Sequence, residues 1–406
     1  MRSGLKKENI FKAIKSLVVI AFICSLVSVS GCKNDSNDLG IVFINPNDTL
    51  GSLLLESNAD TIKITEKNVR IFNNTSAISK LLVGSSPEAA GNYQAKSLLK
   101  FNGLPTDRHG ETVVSANMRF KYKFYAFRDT LGTVSFNVYR VKRNLNFSTV
   151  TLDSISTADI DTKVLGTYTG NPTDISDINV TLDPNTVKDW LEYAADTNFS
   201  GKNYGIYLVP NSNSTTIKGF YDSNDGTDLA PLLSMVIDSS GRRDTVRISS
   251  SSYLSMTDAP LSIIPSNRIF VQAGVSFLSL VNFDFTKIPT NILINEAYLE
   301  LTVDPVNSFF NSDIDKRVNV DRVTDSVNVT ASSGGITTNP VAGDTTKYYI
   351  RINQYFQGWI NGIYPKMGVL LSPTTPLSLN RIVFYDQTEP DVNKRPKLRI
   401  RYTNKF

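Results

Sequence analysis

Ala116-Asn117-Met118-Arg119-Phe120-Lys121-Tyr122-Lys123-Phe124 carries an apolar side chain at every second position and a polar one between. A period of two sends alternate side chains to opposite faces, the pattern of a strand with one face in a core. Val134, Phe136 and Val138 repeat it shortly afterwards, and Ala297, Leu299, Leu301 and Val303 repeat it in the second half. Turn clusters such as Gly84-Ser85-Ser86-Pro87, Asp225-Gly226 and Ser332-Ser333-Gly334-Gly335 separate the runs. Short alternating strands joined by turns predict an all-β chain built of antiparallel sandwiches.

The same order of residues occurs twice. Phe101, Ala116, Asn137-Val138-Tyr139-Arg140-Val141, Trp190, Gly205, Tyr221-Asp222 and Pro231 correspond to Phe283, Ala297, Asn319-Val320-Asp321-Arg322-Val323, Trp359, Gly368, Tyr385-Asp386 and Pro396. Ala116 to Val138 is 22 residues and Ala297 to Val320 is 23; Gly205 to Tyr221 is 16 and Gly368 to Tyr385 is 17. The only two tryptophans fall at matching places, so the chain reads as two copies of one domain. A polar run, Asp238-Ser239-Ser240-Gly241-Arg242-Arg243, puts the boundary between domains at 41–240 and 241–406.

Each tryptophan sits in a short helical signal. Asp183 is placed to cap the first helix, with Pro184 at its first position and Val187, Trp190, Leu191 and Ala194 on one face. Asn353 is the cap candidate of the second, with Phe356, Trp359, Ile360 and Ile363 as its face and Gly362 near its end. Helical spacing beside Leu and Ile makes each Trp a core anchor that plugs one end of a sandwich, in preference to a sugar-stacking platform.

Of 406 residues, 42 are Lys or Arg and 38 Asp or Glu; 41% are hydrophobic and 20% charged, a globular composition. The net charge of +4 belongs to the N-terminus, where Arg2, Lys6, Lys7, Lys12 and Lys15 face only Glu8. The remainder is neutral and lacks the basic footprint of a nucleic-acid binder, so no nucleic-acid partner is expected. One His and two Cys exclude most metal and redox sites built from those residues.

After the basic residues, Leu17 to Val29 forms an apolar run too short to span a bilayer comfortably, the shape of a secretory signal. Val29-Ser30-Gly31-Cys32 resembles the bacterial lipobox, which implies cleavage after residue 31 and lipidation of Cys32. The lipid bilayer is then the first partner, held through acyl chains that each add about 0.8 kcal/mol per buried CH₂. Residues 32–40 form a polar tether, and the folded part, left without a free thiol, depends on its cores in an oxidising compartment. The expected location is the outer membrane, on its periplasmic or exterior face.

Ser97-Leu98-Leu99-Lys100-Phe101 with Leu104-Pro105, then Ala297-Tyr298-Leu299-Glu300-Leu301, the Trp helix, Gly368-Val369-Leu370-Leu371, Ile382-Val383-Phe384-Tyr385 and Arg395-Pro396-Lys397-Leu398-Arg399-Ile400-Arg401-Tyr402 are similar, in that order, to DNRLRE-type modules. The resemblance implies tandem jelly-roll-like β-sandwiches of the kind grouped with carbohydrate-binding modules. The lipidated N-terminus also looks like a family of outer-membrane lipoproteins of unknown function. Tyr385-Asp386-Gln387-Thr388-Glu389 and Tyr221-Asp222-Ser223 stand where those modules carry Ser-Arg-Glu, so only fold and general role are carried over.

Candidate sites are few. Tyr221 and Tyr385, at equivalent strand ends, are candidates for stacking on sugar rings, with inward packing as the alternative. Asp222, Asn224, Asp225 and Asp228 gather oxygen ligands in one turn, suited to a structural Ca²⁺; a solvated turn whose side chains cap the backbone is the alternative. No other cofactor is implied. His109 lies in a turn-like stretch without an identifiable partner, and no nucleophile elbow, zinc motif or phosphate loop occurs. The expected role is a non-catalytic, lipid-anchored envelope protein that binds extracellular glycan. A structural or adhesive lipoprotein engaging an envelope protein, or a glycan-degrading accessory enzyme, are the alternatives.

Overall fold

The computed structural model describes residues 52–57, 62–75, 79–310, 316–374 and 379–405; Cys32 and the tether lie outside them. Among the described residues the chain is all-β except for two α-helices and short 3₁₀ turns. Neither helix is long and apolar enough to cross a membrane.

The first sandwich is one sheet bent over on itself. Asp177–Leu182, Thr112–Ala126, Leu232–Ser239 and Arg242–Ser249 lie side by side on one face. The other face runs Ile217–Phe220, Leu81–Glu88, Gly91–Lys100, Ile206–Pro210, Val134–Val141 and Ile160–Gly170, with Ser252–Asp258 laid along Gly91–Lys100. Thr112–Ala126 serves both faces: its first part pairs with Leu232–Ser239 and its last residues with Ile217–Phe220. A bulge makes the corner, and Phe124 there adopts a left-handed φ of 54°. The bulge also breaks the alternation. Ala116, Met118, Phe120 and Tyr122 enter the core as their spacing predicts, whereas Phe124 is 60% exposed.

The second sandwich repeats this order as far as the strand that matches Val134–Val141, but as two separate sheets. Lys347–Arg351, Ile292–Thr302, Lys397–Asn404 and Leu53–Glu56 form one face. Arg381–Tyr385, Arg268–Gln272, Phe277–Phe283, Val369–Pro373 and Val318–Asp325 form the other, with Ile64–Arg70 laid along Phe277–Phe283. Leu53–Glu56 and Ile64–Arg70 thus take the places that Arg242–Ser249 and Ser252–Asp258 take in the first sandwich. The boundary expected near residue 240 is crossed in both directions: residues 242–258 complete the first sandwich, and residues 53–70 complete the second. The polar run at 238–243 is the tight turn between two paired strands.

The helices plug their sandwiches. In α1 (Pro184–Ala195) the Asp183 carboxylate accepts from the Asn185 N–H at 3.2 Å and from the Thr186 hydroxyl at 3.0 Å, and Val187, Trp190 and Leu191 are buried. In α2 (Asn353–Ile360) Asn353 is the first helical residue and not the cap. Its amide instead accepts from Ala297 N at 2.7 Å and donates to Asn295 O at 3.0 Å, tying the helix to a bulge in Ile292–Thr302. The helix ends at Ile360, with Gly362 at φ 70°, so Ile363 is left 66% exposed.

Each sandwich has its own core, and a third core joins them. Leu82, Tyr93, Tyr125 and Phe127 from the first pack with Phe270, Phe277 and Val383 of the second. Phe127 meets Tyr93 and Phe309 edge-on, with centroids 5.1 and 5.2 Å away. Polar groups bridge this layer: Tyr93 OH donates to Gln272 Oε1 at 2.8 Å, and Arg381 Nη1 reaches Tyr93 OH at 3.2 Å and Glu88 at 3.3 Å. Residues 53–406 form one compact unit.

Candidate functional site

Two open cavities of about 520 and 800 Å³ meet at Phe72 and Asp258. Together they make a groove over the outer side of Gly91–Lys100, at the junction of the sandwiches. Phe72 comes from the chain just after Ile64–Arg70 and is 40% exposed. Asn92, Gln94 and Lys96 project from one strand at the period-two spacing, and Tyr139 and Tyr207 come from neighbouring strands. The far wall is the segment Leu152, Ile155 and Ile160, which packs against a small apolar cluster around Leu98, Tyr207 and Leu254.

Arg70 fixes the centre. Its guanidinium donates to Asp258 Oδ1 at 2.6 Å and to the carbonyls of Thr257 and Ala259 at 3.2 Å each. It also lies 4.2 Å from the Phe72 ring centroid, which orients the ring by a cation–π contact. Burial, and then the nearby Asp258 carboxylate, push the Tyr207 hydroxyl well above its ordinary range, so it stays protonated and able to donate. Burial works to raise Asp161 too, but the Lys163 N–H and the Arg140 guanidinium at 2.8 Å outweigh it and hold that carboxyl low. The groove therefore offers aromatic faces beside amides, hydroxyls and carboxylates that already have partners. Such a lining binds neutral polar ligands by stacking and hydrogen bonding.

The residues singled out from the sequence lie elsewhere. Cys32 is outside the described residues. Tyr221 is half-buried, with the Lys123 ammonium 5.2 Å from its ring. Tyr385 occupies the equivalent place in the second sandwich, with Arg268 at 4.8 Å and Lys394 at 5.3 Å. Cations of the chain itself therefore lie over both rings.

Asp222, Asn224 and Asp225 do come together, around a lysine. Lys123 Nζ donates to both oxygens of Asp225 at 2.7 Å and lies 3.8 Å from Asp222. Asp225 accepts from the Asp222 N–H at 2.9 Å, and Asp222 accepts from the Asn224 N–H at 2.8 Å. These are the bonds of an Asp-capped turn, with Lys123 supplying the positive charge that a Ca²⁺ ion would bring. Burial raises the Asp222 carboxyl above its ordinary range. Asp228 stands apart and exposed, its carbonyl accepting from Arg119 at 2.9 Å. Among the described residues no three His, Cys, Asp or Glu side chains converge as a metal-ligand set. His109 is exposed, with Nδ1 2.9 Å from the Thr106 carbonyl.

Sequence reasoning did not find Phe72, Tyr139 or Tyr207 as a group. Tyr139 and Tyr207 sit in readable strands. Phe72 joins them only because the N-terminal strand crosses to the second sandwich. A scan against models of known protein families matches none of them, and a search of curated proteins finds no similar sequence.

Proposed function

We propose that this protein is a lipid-anchored component of the outer membrane that holds an extracellular glycan, without chemical turnover, in the groove at Phe72. The observation that carries this reading is the exposed Phe72 ring, fixed by Arg70, at the meeting point of two cavities lined with tyrosine, amide and hydroxyl groups. A sugar presents an apolar C–H face and a rim of hydroxyls, and that lining matches both. The lipobox-like Val29-Ser30-Gly31-Cys32 supports the anchor, and the tandem sandwiches fit the resemblance to DNRLRE-type modules.

The test is a glycan array probed with the purified folded part, repeated with Phe72→Ala. Loss of a stacked ring weakens binding about tenfold or more. Array binding that survives the substitution unchanged refutes the groove, and sugar hydrolysis by the protein refutes the non-catalytic role. For the anchor, Cys32→Ala abolishes palmitate labelling; retained labelling refutes it.

A second reading, an adhesive lipoprotein engaging a protein partner, is favoured by one surface. The outer face of Ile292–Thr302 and its neighbours carries Tyr298, Tyr349 and Leu54 around a depression of about 430 Å³, with Arg399 and Arg401 paired to Glu56 and Glu296 and with Glu300 beside them. Tyr and Arg side chains at close spacing are enriched in protein interfaces. An envelope protein that co-purifies with the wild type and is lost with Tyr298→Ala and Tyr349→Ala together supports this reading over the first.

A further inference from the structure

The aromatic rings and matched polar groups of the groove at Phe72 serve the neutral parts of a sugar, and one charge is left over. Arg70 donates to Asp258 at 2.6 Å, and Arg140 to Asp161 at 2.8 Å. Asp153, exposed on the far wall, accepts from the Thr151 hydroxyl at 2.6 Å. Lys96 lines the groove half-buried, yet among the described residues no hydrogen bond, ion pair or ring contact engages it. The register accounts for this. Lys96 pairs with Met256 on one side, and on the other it falls one place beyond the pair Ser97 and Leu208, beside Val209. Neither neighbour carries a charge. One period-two step along the strand, Tyr207 and Tyr139 continue the row of Leu98; one step the other way, Gln94 faces Asp258. The ammonium therefore stands between the two tyrosines and the Arg70–Phe72 centre. A half-buried cation without a partner has given up hydration for no contact in return.

The second sandwich provides an internal comparison. In the repeat Phe101 corresponds to Phe283, which puts Leu278 in the place of Lys96. Leu278 pairs with Val69 as Lys96 pairs with Met256. It is 6% exposed, in an apolar cluster with Leu280, Val323 and Leu370 that Val329 and Ala331 cover. Leu370 stands there where Tyr207 stands in the first copy. The second sandwich thus closes this face with apolar contacts, whereas the first leaves it open and sets a cation and tyrosines in it. The same strand position folds with leucine, so the sheet itself does not require a lysine at 96.

We infer that the glycan held in this groove is acidic, with the carboxylate of a hexuronic acid accepting from the Lys96 ammonium while neighbouring sugar faces stack on the aromatic rings. The inference rests on the groove being the glycan site and adds the class of sugar. A carboxylate at Lys96 makes a charge-assisted hydrogen bond, stronger than any that the neutral lining offers. Asp258, Asp161 and Asp153 flank the position and disfavour further anionic groups beside it. The glycan therefore carries its carboxylates singly, among neutral sugars.

The probes are oligosaccharides of glucuronoxylan and of hyaluronan, in which uronic acids stand among neutral sugars, each beside its carboxyl-reduced counterpart. Binding to the full-length protein in detergent is followed by calorimetry. At least one acidic oligosaccharide should bind about tenfold tighter than its reduced form, the effect of one charge-assisted hydrogen bond. The difference should narrow as salt is raised. Lys96→Gln should bring the acidic form to the affinity of the reduced one and leave the thermal melt unchanged, because the side chain holds nothing else in place. Phe72→Ala should weaken both forms alike, so ring and charge are read separately. Equal affinity for acidic and reduced forms in the wild type overturns the acidic assignment and leaves the groove reading standing. A preference that survives Lys96→Gln overturns Lys96 as its source. No binding of either form overturns the inference, while the glycan array with Phe72→Ala decides the groove on its own.

Discussion

Phe127 is the residue through which the two sandwiches hold each other. It is 1% exposed, its ring edges meet Tyr93 and Phe309, and it belongs to the joining core and to neither sandwich's own core. Truncating a buried Phe to Ala costs about 3–5 kcal/mol, through lost transfer energy and the cavity left behind. The two edge-to-face contacts account for about 0.5–1.5 kcal/mol of that each. Because the cores around Trp190 and Trp359 are untouched, the cost falls on the coupling between the halves. Wild-type protein should therefore unfold in one transition, and Phe127→Ala in two. Urea unfolding followed by fluorescence in Trp190→Phe and Trp359→Phe backgrounds reads each half separately, since each carries one tryptophan. If both reporters still move together in Phe127→Ala and the midpoint shift corresponds to under about 1 kcal/mol, the joining core does not couple the sandwiches.

Three further outcomes are expected. Glu66 is raised from 4.5 to about 7, chiefly by burial and then by its contact with Asp386. The folded state therefore holds a proton that the unfolded chain has released. Stability from this group is full below pH 4.5 and is lost as pH rises through about 7, by roughly 1–2 kcal/mol after discounting for partial exposure. Glu66→Gln should flatten that fall in urea titrations at pH 5 and 7.5, and an unchanged slope would contradict the assignment. Gly84 has φ +136°, and a Cβ there would stand 2.1 Å from the Thr216 carbonyl oxygen. Gly84→Ala should lower stability by about 3 kcal/mol or more, read as a shifted calorimetric melt. Asn353→Ala leaves the Ala297 N–H and the Asn295 carbonyl unmatched, and should cost about 2–4 kcal/mol in the same assay; a shift under 1 kcal/mol means other groups satisfy them.

Much of the fold is legible because local patterns decide it. Alternation at Ala116–Tyr122 and the Asp183-Pro184 start of α1 need only near neighbours, and both hold. Pairing across long distances has no such local signature. Nothing in Leu53-Leu54-Leu55-Glu56 says that Lys397–Asn404 is its partner, so position alone places the strands at 53–70 in the wrong sandwich. The bulge that turns Phe124 outward is invisible to a strict period of two. Asn353 has cap chemistry, but a strand bulge competes for its amide and wins. At the candidate sites the limit was similar. Tyr221 and Tyr385 read as equivalent strand ends, yet Lys123 over the first ring and Arg268 over the second come from distant segments.

Leu53–Glu56 pairs with Lys397–Asn404, and the Leu398 N–H donates to Ser57 Oγ across 341 positions of chain. The second sandwich is thus sealed by a strand that leaves any machinery delivering the chain N-terminus first long before its partner does. Leu53–Glu56 waits, with a bare backbone edge, until Lys397–Asn404 arrives, while the strands within 81–258 already have their ladder partners. Long-range closure of this sort is slow, because the loop entropy is lost before the ladder forms. Whatever shields that waiting edge sets the pace at which the protein matures.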